Sequence, residues 1–205
     1  MTLFDRAQVE PTDTGCAEAA RELASVEVDG YVALGGGSSI DTAKMLNLLG
    51  SHPGSTVHDY LNKPVGAGRA IPGPLKPLVA VPTTAGSGSE CTAMVALGVT
   101  GLRVKTGISD PYLRPSLALV DPANTLTLPA EVTAASGYDV LTHACESYTA
   151  RPYDRRPPSA RPPTGRCTSG PTRSATSGPS APWNWSGATC AGPCSTPTTS
   201  RPARR

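Results

Sequence analysis

Two side chains in the chain have types and a spacing that suit metal chemistry. Asp139 and His143 lie four residues apart, in an apolar stretch that predicts one buried helix. Residues four apart share a helix face, so a carboxylate oxygen and an imidazole nitrogen point in the same direction. This pair supplies half of the ligands for a divalent metal such as iron or zinc. An Asp–His pair whose polar atoms are satisfied inside a core is the alternative that the spacing leaves open.

A glycine-rich turn follows the first apolar strand that the sequence predicts. The strand is GYVAL at residues 30–34, the turn belongs to GGGSSIDTAK at residues 35–44, and a helix is predicted over residues 39–49. A strand, a glycine turn and a helix together present backbone N–H groups to a phosphate at the helix N-terminus. The turn does not match G-x-G-x-x-G, and a plain tight turn is the alternative.

A second loop of small residues follows the next predicted strand. PLVAVP at residues 77–82 is an apolar run typical of a buried parallel strand, and TTAGSGSE at residues 83–90 comes directly after it. Because α/β folds bind ligands at the carboxyl ends of their strands, the two loops predict a split nucleotide site. Hydroxyl and amide groups would replace the water around the phosphates there.

The remaining pattern completes an α/β arrangement around these loops. Residues 50–73 predict a loop-rich segment at the edge of the domain, and a further helix is predicted from about residue 130. Lys105 is a candidate to reach a ribose or phosphate, with a solvated strand lysine as the alternative. Other predicted elements are a helix at residues 17–24 and strands at residues 102–108 and 117–120.

Composition and charge narrow the classes of partner. The 205 residues carry a net charge of +2, which favours neither a nucleic-acid nor an acidic-membrane partner. No apolar run is long enough to span a bilayer, and the first residues lack the apolar core of a signal peptide. The cysteines do not have zinc-ribbon spacing. These features predict a cytoplasmic enzyme with reduced thiols.

The composition changes abruptly after Asp154. Residues 155–205 contain no Leu, Ile, Val, Met or Phe, so this tail cannot bury a core and is predicted to be disordered. Every residue type in it except Asn184 has codons with C or G in the second position. A shifted reading frame in a GC-rich gene would produce this alphabet. A natural Pro-rich, basic tail that binds a partner is the alternative.

Five motifs resemble those of the iron-containing alcohol dehydrogenases in order and spacing. The resemblance covers roughly residues 4–153, and the segments 59–68, 74–78 and 146–153 resemble the hydroxyacid–oxoacid transhydrogenases of that family in particular. The motifs are GGGSSIDTAK (35–44), PTTAGSGSE (82–90), VKTGI (104–108), LALVDP (117–122) and SGYDVLTHACESY (136–148).

The resemblance implies an α/β fold with a parallel-sheet nucleotide-binding domain and an all-helical metal domain. Residues 1–128 would form part of the first domain, residues 129–153 would begin the second, and residues 154–205 would be the tail. Thr83, Thr84 and Ser87 would contact phosphate or nicotinamide of NAD(P), and Lys105 the ribose. The cofactor pyrophosphate would be lined by Gly35, Gly36, Gly37, Ser38 and Asp41.

The resemblance also implies the chemistry. Asp139 and His143 would be two of four ligands to iron or zinc, and hydride would pass between the nicotinamide and a small alcohol or hydroxyacid. The substrate pair would be of the 4-hydroxybutyrate and 2-oxoglutarate type, with a butanol or lactaldehyde type as the alternative. A homo-oligomer is possible in this family.

Two departures from the family pattern lead us to expect an inactive, poorly folded chain. The family domain begins with strands and a helix before the point where this chain starts. Its two other metal ligands are histidines downstream of the Asp-x3-His helix, whereas this chain has only His52, His58 and His143. A nucleotide-binding module without catalysis is therefore a rival function.

Overall fold

The computed structural model describes residues 1–150. The predictions of disorder, of a shifted frame and of partner binding for the tail lie outside the described residues. The helices are α1 (Asp13–Glu22), α2 (Gly37–Ser51), α3 (Val57–Tyr60) and α4 (Ala130–Thr149). The strands are β1 (Tyr31–Gly35), β2 (Leu78–Pro82), β3 (Met94–Val99), β4 (Val104–Ser109) and β5 (Leu117–Ala118).

A parallel sheet in the order β1-β2-β5 confirms the predicted α/β class. β1 and β2 pair from Tyr31 opposite Leu78 to Gly35 opposite Pro82, so the two strands end at the same level. β5 is shorter than the predicted strand at residues 117–120, because the chain enters a 3-10 turn at Pro122–Thr125 soon after it. The register places the two small-residue loops side by side.

A hairpin of β3 and β4 forms a second, antiparallel sheet. The strand predicted at residues 102–108 is present as β4, whereas β3 was not predicted. Burial alternates along β3, with Val95 and Leu97 inside, so this strand follows the period of two for a half-buried strand. The N-terminal segment joins the hairpin, because the Gly98 N–H donates to the Pro11 carbonyl at 2.9 Å.

Helix α2 lies between the two sheets and is buried on more than one side. Ile40 packs with Ala33 and Ala80 of the parallel sheet. Met45 and Leu48 join a larger core with the hairpin and α1. The helix begins two residues before its predicted start, because two of the three glycines precede it and the third is its first residue.

The segment at residues 50–73 does not pack at the edge, so that prediction is wrong. Val57, Tyr60, Leu61 and Ile71 are at most 5% exposed and belong to the larger core. The Thr56 and Asp59 side chains form a capping box at the start of α3, which satisfies the backbone there. The segment is loop-rich as predicted, with only the four-residue helix α3 in it beyond the end of α2, but it packs into the core.

The helix predicted from about residue 130 and the predicted helix of Asp139 and His143 form one continuous helix, α4, and the expectation that it is buried is wrong. None of its residues is buried, and Tyr138 and Leu141 are 73% and 57% exposed. The helix contacts the loop after β2, where a Cβ atom on Gly86 would lie 3.0 Å from the Ser136 carbonyl oxygen. Apolar residues around a helix become buried only where packing partners cover them, and among the described residues none of α4 is covered to that extent.

Exposed apolar residues also cover one face of the parallel sheet. Val32 and Leu34 of β1 are 74% and 66% exposed, while Ala33 between them is buried against α2. In the part of the chain that the structure describes, no helix has the length and apolar character needed to cross a membrane.

Candidate functional site

The glycine turn after β1 leaves the N-terminus of α2 open to a ligand. Gly35 has a φ of +152°, and a Cβ atom there would meet Ser39 Oγ at 2.5 Å, so glycine is required. Gly36 is the N-cap, and none of the described side chains caps this helix. The first-turn N–H groups are therefore available to an anion, which the helix dipole also favours.

The loop after β2 closes against this turn. The Thr83 N–H donates to the Gly35 carbonyl at 3.0 Å. A Cβ atom on Gly36 would lie 3.3 Å from Thr84 Cγ2, and one on Gly37 would lie 2.5 Å from Ser87 Oγ. The structure thus brings together the predicted residues of both loops, and glycine is needed where the hydroxyl side chains approach.

Ser38 and Lys105 meet through a residue that the sequence patterns did not single out. The Glu10 N–H donates to Ser38 Oγ at 3.1 Å, and the Glu10 carboxylate pairs with Lys105 Nζ at 2.8 Å. The hydrogen bond from Lys105 and the positive charge of Lys105 lower the pKa of the Glu10 carboxyl. Glu10 has a φ of +56°, which is uncommon for a residue other than glycine. Lys105 therefore lies beside the turn on an exposed ion pair.

Asp41 requires a correction, because its side chain does not line an anion site. Its Oδ2 accepts the Ala96 N–H at 2.9 Å, and its Oδ1 accepts the Ser89 hydroxyl and lies 3.3 Å from Lys44 Nζ. Both oxygens are thus used inside the fold, and the residue is buried. The Asp41 carboxylate therefore connects α2 to Ser89 and to β3 and does not contact a pyrophosphate.

Lys44 was not among the predicted site residues, although it belongs to the same motif. Its side chain is fully buried. Burial lowers the pKa of Lys44, and the attraction of Asp41 opposes that shift. The signal in the sequence was a lysine three residues after Asp41, followed by the apolar run MLNLL of the same helix, since a lysine on a buried helix needs an anionic partner.

Asp139 and His143 share a face of α4, as the spacing predicts. Asp139 Oδ1 lies 3.7 Å from His143 Nε2, and both side chains are about half exposed, at 46% and 51%. The alternative of a satisfied core pair is wrong, because the pair is neither buried nor within hydrogen-bond distance. A carboxylate and an imidazole aimed at one point fit a divalent metal by donor type.

The described residues do not complete that metal site. Among residues 1–150, no group of three or more His, Cys, Asp or Glu side chains could hold a metal ion. His58 pairs with Asp13 at 3.0 Å, and His52 is in a different environment at the end of α2, with a buried Nε2. Asp139 follows Ser136 by about one helical turn, and Ser136 lies against Gly86 of the loop after β2.

Sequence comparison agrees with this geometry. The profile described as iron-containing alcohol dehydrogenase matches residues 1–122. The chain belongs to the iron-containing alcohol dehydrogenase family. A curated relative, the mitochondrial hydroxyacid-oxoacid transhydrogenase of Xenopus tropicalis, is 49% identical over 150 residues, which is 73% of this chain and 32% of the relative. The chain thus spans about a third of the length of the curated relatives it matches.

Solved structures lead to the same family. The sulfoacetaldehyde reductase from Bifidobacterium kashiwanohense, in complex with NAD+, superimposes with a TM-score of 0.65 and 33% identity, over 72% of this chain and 38% of that one. An iron-containing alcohol dehydrogenase from Thermotoga maritima gives a TM-score of 0.64 and 31% identity over 72% and 38%. The resemblance seen in the five motifs is confirmed.

Proposed function

We propose that this chain carries a nicotinamide-dinucleotide site and half of a metal site of an oxidoreductase. The enzyme would transfer a hydride between NAD(P) and an alcohol or hydroxyacid. The observation that carries the proposal is the contact between the two loops, at the level ends of neighbouring parallel strands. The Asp-x3-His helix lies against the second loop, next to where a nicotinamide would react.

The residues of the two loops would share the work of binding. The N–H groups of Gly36, Gly37 and Ser38 would donate to the pyrophosphate, since no described side chain caps the helix there. The hydroxyls of Thr84 and Ser87 would complete its hydrogen bonding from the facing loop. Lys105 would leave Glu10 and donate to a ribose hydroxyl. When bound, the cofactor accepts or supplies the hydride.

Asp139 and His143 would hold a divalent metal, iron or zinc, from one side. When bound, such a metal polarises the oxygen of the substrate. The chain's own part is to present one oxygen and one nitrogen ligand from a common helix face. Because the described residues supply only this pair, we propose that the chain alone binds the cofactor and does not turn over. A nucleotide-binding module is the second candidate, and the same observation favours it.

Several finer assignments are also proposals. The similarity to transhydrogenases at 49% identity supports a hydroxyacid and an oxoacid of the 4-hydroxybutyrate and 2-oxoglutarate type, with the butanol or lactaldehyde type as the alternative. The division at residues 128 and 129, a cytoplasmic location and a homo-oligomer stay predictions. The relatives carry "mitochondrial" in their names, so fractionation of cells that express the chain would decide its location.

A titration of the full chain with NAD+ tests the proposed site. We expect saturable binding by calorimetry, and we expect Gly37→Ala to weaken it at least about tenfold, because the new methyl group meets Ser87 Oγ at 2.5 Å. Gly73→Ala is the matched control, since a methyl group there has no atom within 4 Å. If the unsubstituted, folded chain shows no binding at millimolar NAD+, the proposal is wrong.

A further inference from the structure

The Lys44 ammonium joins helix α2 to the end of the second loop. Its Nζ donates to the Ser89 hydroxyl at 3.0 Å and to the Met94 carbonyl at 2.8 Å. Thr92 Oγ1 and Asp41 Oδ1 both lie at 3.3 Å. An ammonium has three N–H donors, so these four acceptors satisfy it completely. Lys44 thus connects helix α2 to Ser89, Thr92 and Met94, which lie between the second loop and β3.

Asp41 extends the same network to the hairpin. Its Oδ2 accepts the Ala96 N–H, and its Oδ1 accepts the Ser89 hydroxyl. The Ser89 N–H in turn donates to Ser87 Oγ at 3.3 Å. A continuous series of contacts therefore runs from Lys44 through Ser89 to Ser87, which lies against the glycine turn.

The buried Lys44–Asp41 network is not needed to fill the core. Burying an ammonium and a carboxylate costs solvation free energy, and an apolar side chain of similar volume often stabilises a core at least as well. What an apolar side chain cannot do is hold two hydroxyls and a carbonyl at set positions. The network therefore fixes where the chain runs between the second loop and β3.

We propose that Lys44 is a positioning residue for the nucleotide site: it holds residues 83–94 so that Thr84 and Ser87 face the glycine turn. This inference rests on the proposed function, because the loop is useful in this position only if it binds the cofactor. Lys44 does not touch the ligand and acts through Ser89. Its loss should lower cofactor affinity beyond any loss of fold stability.

The test compares Lys44→Met with Lys76→Met in the full chain. Lys76 is a matched control, because its half-buried Nζ donates to the Val28 carbonyl at 2.6 Å, in another part of the fold. We expect Lys44→Met to raise the dissociation constant for NAD+ at least about tenfold. We also expect faster amide hydrogen exchange across residues 83–94. Lys76→Met should change neither.

A double variant separates positioning from simple fold stability. Lys44→Met leaves the Asp41 carboxylate buried without its cation, and adding Asp41→Asn removes that charge. We expect the double variant to regain thermal stability without regaining NAD+ affinity. Recovery of both would show that Lys44 serves only the fold, and would overturn the proposal.

Two further outcomes keep the test decisive. If Lys44→Met does not fold, Thr92→Val removes one acceptor of the ammonium and should weaken NAD+ binding about threefold, with faster exchange in the same segment. An unchanged affinity and exchange in Thr92→Val would then contradict the proposal. If the unsubstituted chain does not bind NAD+, the proposed function fails, and hydrogen exchange alone shows whether Lys44 holds the loop.

Discussion

Glu10 contacts two residues that are proposed to receive the cofactor, Ser38 and Lys105. It holds Lys105 Nζ at 2.8 Å, while the N–H of the same residue donates to Ser38 Oγ. An anionic ligand that enters here must approach this negative charge and release the lysine from it. If Lys105 binds the cofactor as proposed, the ion pair would compete with the cofactor for this lysine.

Glu10→Gln should consequently tighten NAD+ binding about two- to fivefold at low salt, because the repulsion is removed and Lys105 is released. The gain should shrink as ionic strength rises, since these side chains are exposed. Calorimetric titrations at two salt concentrations measure both effects. Glu27→Gln, at an exposed position elsewhere, is the control and should change nothing. Weaker binding of Glu10→Gln would mean that the carboxylate contacts the cofactor favourably.

Cys16 is a buried thiol that should resist chemical modification. Burial, together with the charges of Asp41 and Asp13, raises the pKa of Cys16 to about 12. At pH 8 we expect iodoacetamide to modify the exposed Cys145 at least about 100-fold faster than Cys16, because the thiolate is the reacting form. Peptide mass spectrometry over time measures both rates. Equal rates would show that this core opens readily.

The raised pKa of Cys16 also determines how the stability of the fold changes with pH. The pKa of Cys16 in the folded chain is above the ordinary thiol value of 9.0. The stability that the protonated thiol contributes is therefore complete below about pH 9 and is lost as pH rises towards 12. Cys16→Ala should therefore lose less stability than the unsubstituted chain over that range.

Asp41 and Lys44 illustrate what the sequence could not predict at the level of single residues. The motif identified the turn, and the structure places its glycines against the second loop and Ser38 against Glu10. The partners of Asp41 and Lys44 are 45 to 55 residues away along the chain, at Ser89, Thr92, Met94 and Ala96. Local spacing does not contain contacts of that separation, so the family resemblance places the buried Asp41 carboxylate on a binding surface and does not single out Lys44.

At the scale of elements, Asp13 connects α1 to two neighbours. Its Oδ1 accepts the N–H and the hydroxyl of Thr100 at 3.0 and 2.9 Å, and its Oδ2 lies 3.0 Å from His58 Nε2 of α3. Burial would raise the pKa of Asp13, but the bonds from Thr100, His58 and the Thr14 N–H together lower it. One side chain thus holds the helix, the hairpin turn and α3 together.

Asp13→Asn should lower the free energy of unfolding at pH 7 by about 1–3 kcal/mol, because one amide cannot accept at both oxygens. The folded pKa is depressed, so this stabilisation is present above pH 3.8 and is lost as pH falls through the folded pKa. The variant and the unsubstituted chain should therefore converge in acid. Urea unfolding followed by circular dichroism at several pH values measures the difference, with Asp29→Asn at an exposed position as control.

The elements themselves were predictable where the sequence pattern was local. β1, β2, β4 and the four-residue spacing on α4 all follow from periodicity and turn residues. β3 was missed because Met94–Val99 follows a small-residue loop without a turn signal that marks its start. The burial of α4 was predicted from its apolar residues, yet burial depends on what packs against a helix, and that information lies elsewhere in the chain.

At the scale of the whole molecule, the described residues carry the proposed cofactor site and two proposed metal ligands, Asp139 and His143. We expect no hydride transfer from 4-hydroxybutyrate to NAD+ when the full chain is assayed with Fe²⁺ or Zn²⁺, because two ligands hold a catalytic metal weakly. The absorbance of NADH at its near-ultraviolet maximum measures turnover. The Xenopus tropicalis hydroxyacid-oxoacid transhydrogenase, assayed in parallel with an oxoacid acceptor and followed by chromatography of the hydroxyacid formed from that acceptor, checks the substrate. Metal-dependent turnover by the purified chain would contradict the prediction.

The exposed apolar face of β1 affects the solubility of the chain. β1 is an outer strand of the described sheet, and Val32 and Leu34 project from it into solvent. An outer strand with exposed apolar side chains is a template for strand pairing between molecules. The chain should therefore precipitate at high concentration and bind a fluorescent dye that reports apolar surface. A charged residue at position 34, as in Leu34→Lys, should raise its solubility and leave the nucleotide loops in place, which makes it the form to purify first.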